Sequence, residues 1–144
     1  MTAARYDITI DQGSDFSLEL VVKEDGTIKS LKNDTTSEPG VTKKWAVRSR
    51  YRKTLEDSTA YRILAANTDK DSSADATGKI VLTHAYNSNS GVSAGTYLYD
   101  VELVQYDGTD SATDPDLDDP STFTTYQVLR LLQGTLTLRR EVTR

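Results

Sequence analysis

Apolar and polar side chains alternate along several short segments of this chain. Successive side chains in a strand point to opposite faces, so a period of two residues predicts half-buried strands. The first two such segments, 6–11 and 16–22, are separated by a turn at Gly13, and Asp25-Gly26 predicts a second tight turn. The apolar positions expected to share a buried face are Tyr6, Ile8 and Ile10, followed by Phe16, Leu18, Leu20 and Val22.

The third alternating segment, 45–52, has two unlike faces. One face carries Trp45, Val47, Ser49 and Tyr51, and the other carries Ala46, Arg48, Arg50 and Arg52. We expect a strand with one buried face and one basic face. Further along, alternation at Tyr61, Ile63 and Ala65 predicts a fourth strand, although residues 60–66 also fit a short helical turn, and Ile80 and Leu82 predict a fifth strand.

The segment 95–106 alternates most regularly, with Tyr97, Tyr99, Val101 and Leu103 on one face. Its start resembles the strand of immunoglobulin-like domains that carries a corner tyrosine, whose hydroxyl binds backbone a few residues upstream. The second cysteine of such domains would fall at Tyr99, so packing alone would join the two sheets. Segments 126–132 and 136–142 predict the last strands, with a bulge or bend at Gly134 between them.

Seven or eight short strands separated by turns predict an all-β fold. We expect an immunoglobulin-like antiparallel β-sandwich that forms one domain over residues 1–144, which suits the chain length. Two polar stretches, 29–42 and 107–125, are predicted to be long loops, and Leu31 is the candidate anchor of the first. The residues expected to have structural roles are Trp45, Tyr97, Tyr99 and Gly134.

Composition limits the classes of partner. The formal net charge of −5 argues against general nucleic-acid binding, which depends on clustered Lys and Arg. No run approaches the roughly 18 apolar residues that span a bilayer, so no membrane partner is expected. The chain contains no cysteine, which excludes disulfides and thiolate metal sites. The first residues lack an apolar stretch that could serve as a signal peptide, and the absence of cysteine fits an intracellular site of synthesis.

The single histidine, His84, ends the fifth predicted strand. A Ser–His–Asp device needs a nucleophile beside the histidine, and no nucleophile motif occurs near it. We therefore expect His84 to be a surface or strand-end residue. No enzyme activity, catalytic residue or cofactor is predicted.

The loop 107–125 is strongly acidic. Its aspartates are Asp107, Asp110, Asp114, Asp116, Asp118 and Asp119, with no basic residue among them. Asp114, Asp116 and Asp118 have the one–three–five spacing of a calcium loop, but Asp119 stands where that motif has Gly and Thr125 where it has Glu. A second segment with Asp69, Asp71, Ser73 and Asp75 fails in the same two positions. A solvated polar loop is the favoured interpretation of both segments.

Basic residues concentrate on the third strand, where Lys43, Lys44, Arg48, Arg50, Arg52 and Lys53 occur without an acidic residue between them. Three interpretations stay open: a solvated face, a nucleic-acid patch, and a contact with the acidic loop of a neighbouring subunit. The last would be heterologous and would close into rings. The candidate interface residues are Lys43, Lys44, Arg48, Arg50, Arg52, Asp114, Asp116 and Asp118, with Arg139 and Arg140 of the C-terminal strand, which either completes the sheet or forms an exposed edge.

Three segments together resemble a known group of proteins. Residues 6–16 match "DITI-x-QG-x-x-F", residues 95–103 match "G-x-Y-x-YD-h-x-h" with h apolar, and residues 130–138 with the ending 141–144 match "R-h-L-x-G-x-h-x-h…VT". Residues 45–48 match a weaker "A-x-hR" element. In this order the segments resemble small virion structural proteins of tailed bacteriophages, many of them cyanophages. They are also similar to the N-terminal immunoglobulin-like domain of phage upper baseplate proteins.

This resemblance implies a structural component of the virion that contacts other virion proteins and copies of itself in a symmetric assembly. Its position in the particle, whether tail, baseplate, neck or head surface, stays open, because the 29–42 and 107–125 loops depart from the sequence pattern of the resembling proteins. The alternative is a module whose loops recognise a host-surface glycan. The aromatic candidates for that role are Tyr86, Phe123 and Tyr126.

Overall fold

A computed structural model of the chain describes residues 3–69, 76–84, 92–108 and 123–140. Within these ranges the regular elements are all strands, which confirms the predicted all-β class. The strands are β1 (Ala4–Arg5), β2 (Ile8–Asp11), β3 (Phe16–Val21), β4 (Lys23–Glu24), β5 (Thr27–Ile28), β6 (Lys44–Arg52), β7 (Tyr61–Asn67), β8 (Lys79–His84), β9 (Gly95–Gly108) and β10 (Phe123–Arg139).

One curled sheet connects most of these strands in the order β1-β10-β9-β6-β7-β8-β3, and β2 also pairs with β10. The pair β4–β5 forms a small separate sheet. Strand β7 passes between two layers, because residues 61–63 pair with β6 and residues 64–67 pair with β8. The turn between β2 and β3 also carries the chain from one layer to the other, because β2 pairs with β10 and β3 pairs with β8. The curled sheet thus forms two layers, an arrangement compatible with the predicted β-sandwich.

The core lies between the two layers and follows the predicted alternation. On β6 every second side chain, from Trp45 to Tyr51, is buried. Leu31 is also fully buried, which confirms it as the anchor of the 29–42 loop. Burial of each such large apolar side chain contributes about 1.5–3 kcal/mol. Other members of the core cluster are Ile8, Ile10, Ile63, Ile80, Leu82, Val101, Leu103, Leu136 and Leu138.

The predicted tyrosine corner is present at the start of β9. The Tyr97 hydroxyl donates a hydrogen bond to the backbone oxygen of Ser93, four residues upstream, at 2.5 Å. The ring packs edge-on against Tyr51, with centroids 5.3 Å apart. The corner therefore fixes the chain that enters β9 to the aromatic part of the core.

The end of the chain differs from the prediction of two strands. Strand β10 is continuous from Phe123 to Arg139, and its register shifts lie between Thr125 and Gln127 and between Arg130 and Leu132. Of the two alternatives predicted for Gly134, a bulge or a bend, the bulge is therefore wrong. Gly134 pairs with Tyr99, and a Cβ atom there would overlap the backbone oxygen of Tyr6. Glycine is needed because the β1–β2 connection crosses directly over it.

Three further expectations are corrected. The sheet is mixed instead of antiparallel, because β1 and β2 run parallel to β10. Tyr6 lies before β2 and is half exposed, whereas Ile8 and Ile10 are buried as predicted. The short helical turn considered for residues 60–66 is wrong, since β7 occupies them.

The predicted loop 107–125 is strand at its two ends. Strand β9 runs to Gly108 and β10 begins at Phe123, which leaves 109–122 outside the described residues. The aspartates at 114, 116 and 118 therefore lie outside them too, as does the last part of the predicted terminal strand, 141–144. The predicted single domain over 1–144 stays a prediction.

Candidate interaction surface

The predicted basic face of the third strand meets acidic residues from the neighbouring strand. The register of β6 on β9 places Arg48 opposite Glu102 and Arg50 opposite Asp100. On the other side of β9, Arg130 of β10 stands opposite Glu102. The outer face of the sheet thus carries both acidic and basic side chains on three neighbouring strands, β6, β9 and β10.

Glu102 is the centre of an ion-pair network on this face. Arg48 approaches one carboxylate oxygen with Nη2 at 2.6 Å, and its Nε donates to the same oxygen at 2.8 Å. Arg130 Nη2 lies 3.5 Å from the other oxygen and 3.6 Å from the Asp100 carboxylate. Only 13% of the Glu102 side chain is exposed, and charge-assisted bonds are strong in such a setting. Arg48 therefore has an intrachain role that the sequence did not reveal.

Beside this network lies a pocket of about 350 Å³, which we call the arginine pocket. Its basic lining residues are Arg5, Arg50, Arg52 and Arg130, and its acidic lining residue is Asp100. Two leucines add apolar surface, since Leu55 is 79% exposed and Leu98 is 37% exposed. The pocket thus places cationic side chains next to exposed apolar surface.

The pKa of Asp100 is raised above its ordinary value of 3.8. Burial is the main cause, and repulsion by the Glu102 carboxylate adds to it, whereas Arg130, Arg52 and Arg48 act in the opposite direction. The arginines lower the electrostatic cost of this carboxylate without removing it. Asp100 is consequently partly buried in the sheet and partly open to the pocket.

The two lysines predicted as interface residues lie apart from the arginine pocket. Lys44 pairs with Tyr106 near the opposite end of β9. Lys43 Nζ lies 4.6 Å from the centroid of the Tyr126 ring and 3.7 Å from the Glu38 carboxylate. Along β6 the outer face thus carries Lys44 at one end and Arg50 and Arg52 at the other, with Arg48 bound to Glu102 between them.

The C-terminal strand is tied into the sheet. Residues 136–139 pair with β2, and residues 136–138 also pair with β9. Arg139 holds Asp11 through two hydrogen bonds of 2.7 and 3.1 Å. Of the two alternatives for this strand, completion of the sheet is confirmed, and Arg140 stands exposed just beyond it.

The remaining predicted structural residues have identifiable contacts. Trp45 is buried, and Lys29 Nζ lies 5.1 Å from its ring centroid. The hydroxyl of Tyr99 donates to the backbone oxygen of Tyr6, and burial raises the pKa of Tyr99 to about 12. Tyr99 thereby links the N-terminal connection to the sheet, at the position where a cysteine was expected in the resembling domains.

A buried carboxylate at Asp69 escaped prediction as a structural residue. It accepts hydrogen bonds from the hydroxyl of Thr77 at 2.6 Å and from the backbone nitrogens of Thr77, Gly78 and Leu31 at 3.0, 2.7 and 3.5 Å. Burial alone would raise its pKa, but these donors outweigh burial and the pKa is lowered. Asp69 thus joins the 29–42 loop to the connection between β7 and β8.

The calcium alternative gains no support from this geometry. The oxygens of Asp69 are engaged by protein donors, and residues 71, 73 and 75 lie outside the described ranges. In the described part of the chain, no three His, Cys, Asp or Glu side chains stand close enough together to hold a metal ion.

His84 ends β8 as predicted, but it is buried and the surface alternative is wrong. Its Nε2 lies 3.4 Å from the hydroxyl oxygen of Tyr51. Of the three aromatic residues considered for glycan contacts, Tyr126 is 39% exposed. Tyr86 and the side chain of Phe123 lie outside the described part.

No protein-family model matches this chain, and no curated protein matches it significantly. Within the described residues, no helix has the length and apolar character that crossing a bilayer requires.

Proposed function

We propose that this chain is a structural component of a tailed bacteriophage virion and acts through subunit–subunit contacts. Synthesis in the host cytoplasm would precede its incorporation at the tail, baseplate, neck or head surface. Other virion proteins and further copies of the chain would be its partners.

The observation that carries this proposal is the meeting of the three resembling segments at one place. They are distant in sequence, yet β2, β9 and β10 are neighbours, and Leu136 pairs with both Ile8 and Tyr97. The hydroxyl of Tyr99 reaches the oxygen of Tyr6 directly above Gly134. The motif residues that lie on β2, β9 and β10 within the described ranges therefore pack together, which supports a common fold with the resembling virion proteins.

A second line of support is the arginine pocket. Charged and apolar groups share an open face of the sheet, and such faces suit recognition of another macromolecule. The four arginines come from β1, β6 and β10, so the rigid sheet holds them in place.

The test is to locate the chain in particles of the virus that encodes it. Antibodies against the purified chain should label intact particles at a fixed position, and quantitative mass spectrometry should give a copy number that fits the particle symmetry. Recovery of the chain only from the soluble fraction of infected cells, with none in purified particles, would contradict the proposal. A glycan array separates the alternative, since a scaffold protein should give no specific hits.

A further inference from the structure

We propose that the arginine pocket receives the acidic segment 107–120 of a second copy of this chain. The inference rests on the proposed function, because it names the partner of one subunit contact. Residues 109–122 lie outside the described part, and only their sequence is used here.

Charge is the first argument. Four arginines and one aspartate line the pocket, in a chain whose formal net charge is −5. Arg5 lies 3.6 Å from the Asp7 carboxylate, and Arg130 lies 3.5 Å from that of Glu102 and 3.6 Å from that of Asp100. Both arginine side chains are nevertheless more than half exposed, so they stay accessible to an incoming carboxylate. The segment 107–120 contributes six aspartates and no basic residue. Guanidinium groups bind carboxylates in a planar, two-pronged geometry, so these two surfaces are complementary.

Apolar surface is the second argument. Leu55 and Leu98 border the arginines and are left uncovered. In the acidic segment, Leu117 stands between Asp116 and Asp118. A segment that carries an apolar side chain and several carboxylates would cover the leucines while its charges meet the arginines. Removal of that apolar area from water favours binding.

Reach is the third argument, and it selects a second copy over the same chain. Asp100 and Gly108 are eight residues apart on β9, which places them about 27 Å from each other. The fourteen residues between Gly108 and Phe123 are anchored at both ends, so their midpoint extends at most about 25 Å. A chain would therefore reach the Asp100 end of its own arginine pocket only with the segment fully stretched, whereas the segment of a second copy can dock without such stretching.

The contact is consequently heterologous, with a cationic pocket at one end of β9 and an acidic segment at the other. A contact of this kind repeats from copy to copy, and it closes into a ring or continues as a filament.

The test uses two variants of the full chain. A pocket variant carries Arg5→Gln and Arg52→Gln, and a segment variant carries Asp114→Asn, Asp116→Asn and Asp118→Asn. The matched control carries Lys23→Gln and Lys79→Gln, which remove two charges that do not line the pocket. Sedimentation velocity measures the assembly state, and circular dichroism verifies the fold of each protein.

The wild type and the control should form assemblies larger than dimers, and each variant should associate about tenfold more weakly. An equal mixture of the two variants should form one-to-one dimers and stop there, because one chain keeps the segment and the other keeps the pocket. This arrested dimer is the result expected only from a heterologous contact.

Three results would overturn the inference: a wild type that stays monomeric up to about 1 mM, a mixture that stays monomeric, or equal weakening by the control. Failure of the proposed function would be distinct from these results. A chain present in particles without self-association contradicts the pocket inference alone, whereas a chain that assembles but is missing from particles contradicts the virion role alone.

Discussion

Asp69 and Asp100 are two carboxylates withdrawn from water whose pKa values move in opposite directions. Asp69 is buried, and three backbone nitrogens and one hydroxyl bind it, so its pKa is lowered. Asp100 is half-buried beside Glu102 and faces arginine side chains, and its pKa is raised. Burial opposes ionisation at both positions.

The difference between them lies in the donors. Backbone nitrogens are already held in place by the folded chain, so they stabilise the charged form of Asp69 with little further loss of conformational entropy. The guanidinium groups near Asp100 end long side chains, and half of the Arg130 side chain is exposed to water. A carboxylate bound by backbone groups contributes to the stability of the fold. Where arginine side chains surround a carboxylate at the surface, the carboxylate of a partner can compete for the same arginines.

The largest expected effect follows from Asp69→Asn. The side-chain NH₂ group of the new asparagine would lie against groups that are themselves hydrogen-bond donors. The free energy of unfolding, measured by urea denaturation, should therefore fall by about 3 kcal/mol. Because the pKa of Asp69 is lowered in the folded state, its contribution is complete above the unfolded value of 3.8 and is lost as the pH falls through the lowered value. The penalty of Asp69→Asn should therefore shrink in acid.

Asp34 supplies the control for that prediction. The hydrogen bond with the Ser37 side chain and the backbone hydrogen bonds from Thr36 and Ser37 lower the pKa of Asp34 to about 2. Asp34 is only half-buried, however, whereas Asp69 is fully buried. Asp34→Asn should cost much less than Asp69→Asn. Equal losses for the two variants would show that donor number, without burial, decides the effect.

A smaller loss is expected from Thr77→Val. The substitution removes the 2.6 Å hydroxyl donor to Asp69 and leaves the backbone donors in place, so stability should fall by about 1 kcal/mol. Thr68→Val is the matched control, because the Thr68 hydroxyl donates to an exposed backbone oxygen at 3.0 Å. A loss at position 68 as large as that at 77 would contradict the special role of the Asp69 cluster.

The smallest effect, of opposite sign, is expected from Asp100→Asn. Because the pKa of Asp100 is raised in the folded state, ionisation destabilises the fold once the pH passes from 3.8 through the raised value. Removing the charge should stabilise the protein by up to about 0.5 kcal/mol at pH 7 and by nothing below the unfolded pKa. Urea denaturation at pH 7 and pH 3 measures this, and a clear loss at pH 7 would contradict it.

Sequence patterns predicted the features that depend on neighbouring residues. The alternation from Trp45 to Tyr51 located the buried face of β6, and the spacing after Gly95 located the Tyr97 corner. Each of these signals is complete within about ten residues, because side-chain direction in a strand repeats every second position.

Features that depend on distant pairing could not be predicted. Gly134 looked like a bulge because its actual reason, the crossing of Tyr6, lies 128 positions away. The arginine pocket combines positions 5, 50, 52 and 130, which only the register of β1, β6 and β10 brings together. Asp69 resembled a loop residue because its donors come partly from Leu31.

The parallel pairing of β2 with β10 has a consequence for biosynthesis. Ile8 meets Leu136 and Asp11 meets Arg139, so β2 lacks this partner strand until β10 has left the ribosome. Contacts of such large sequence separation form slowly, because a long loop must close first. The pairing of β2 is therefore expected late in folding, with Ile8 and Ile10 left without the β10 strand beside them in the nascent chain until β10 has been synthesised.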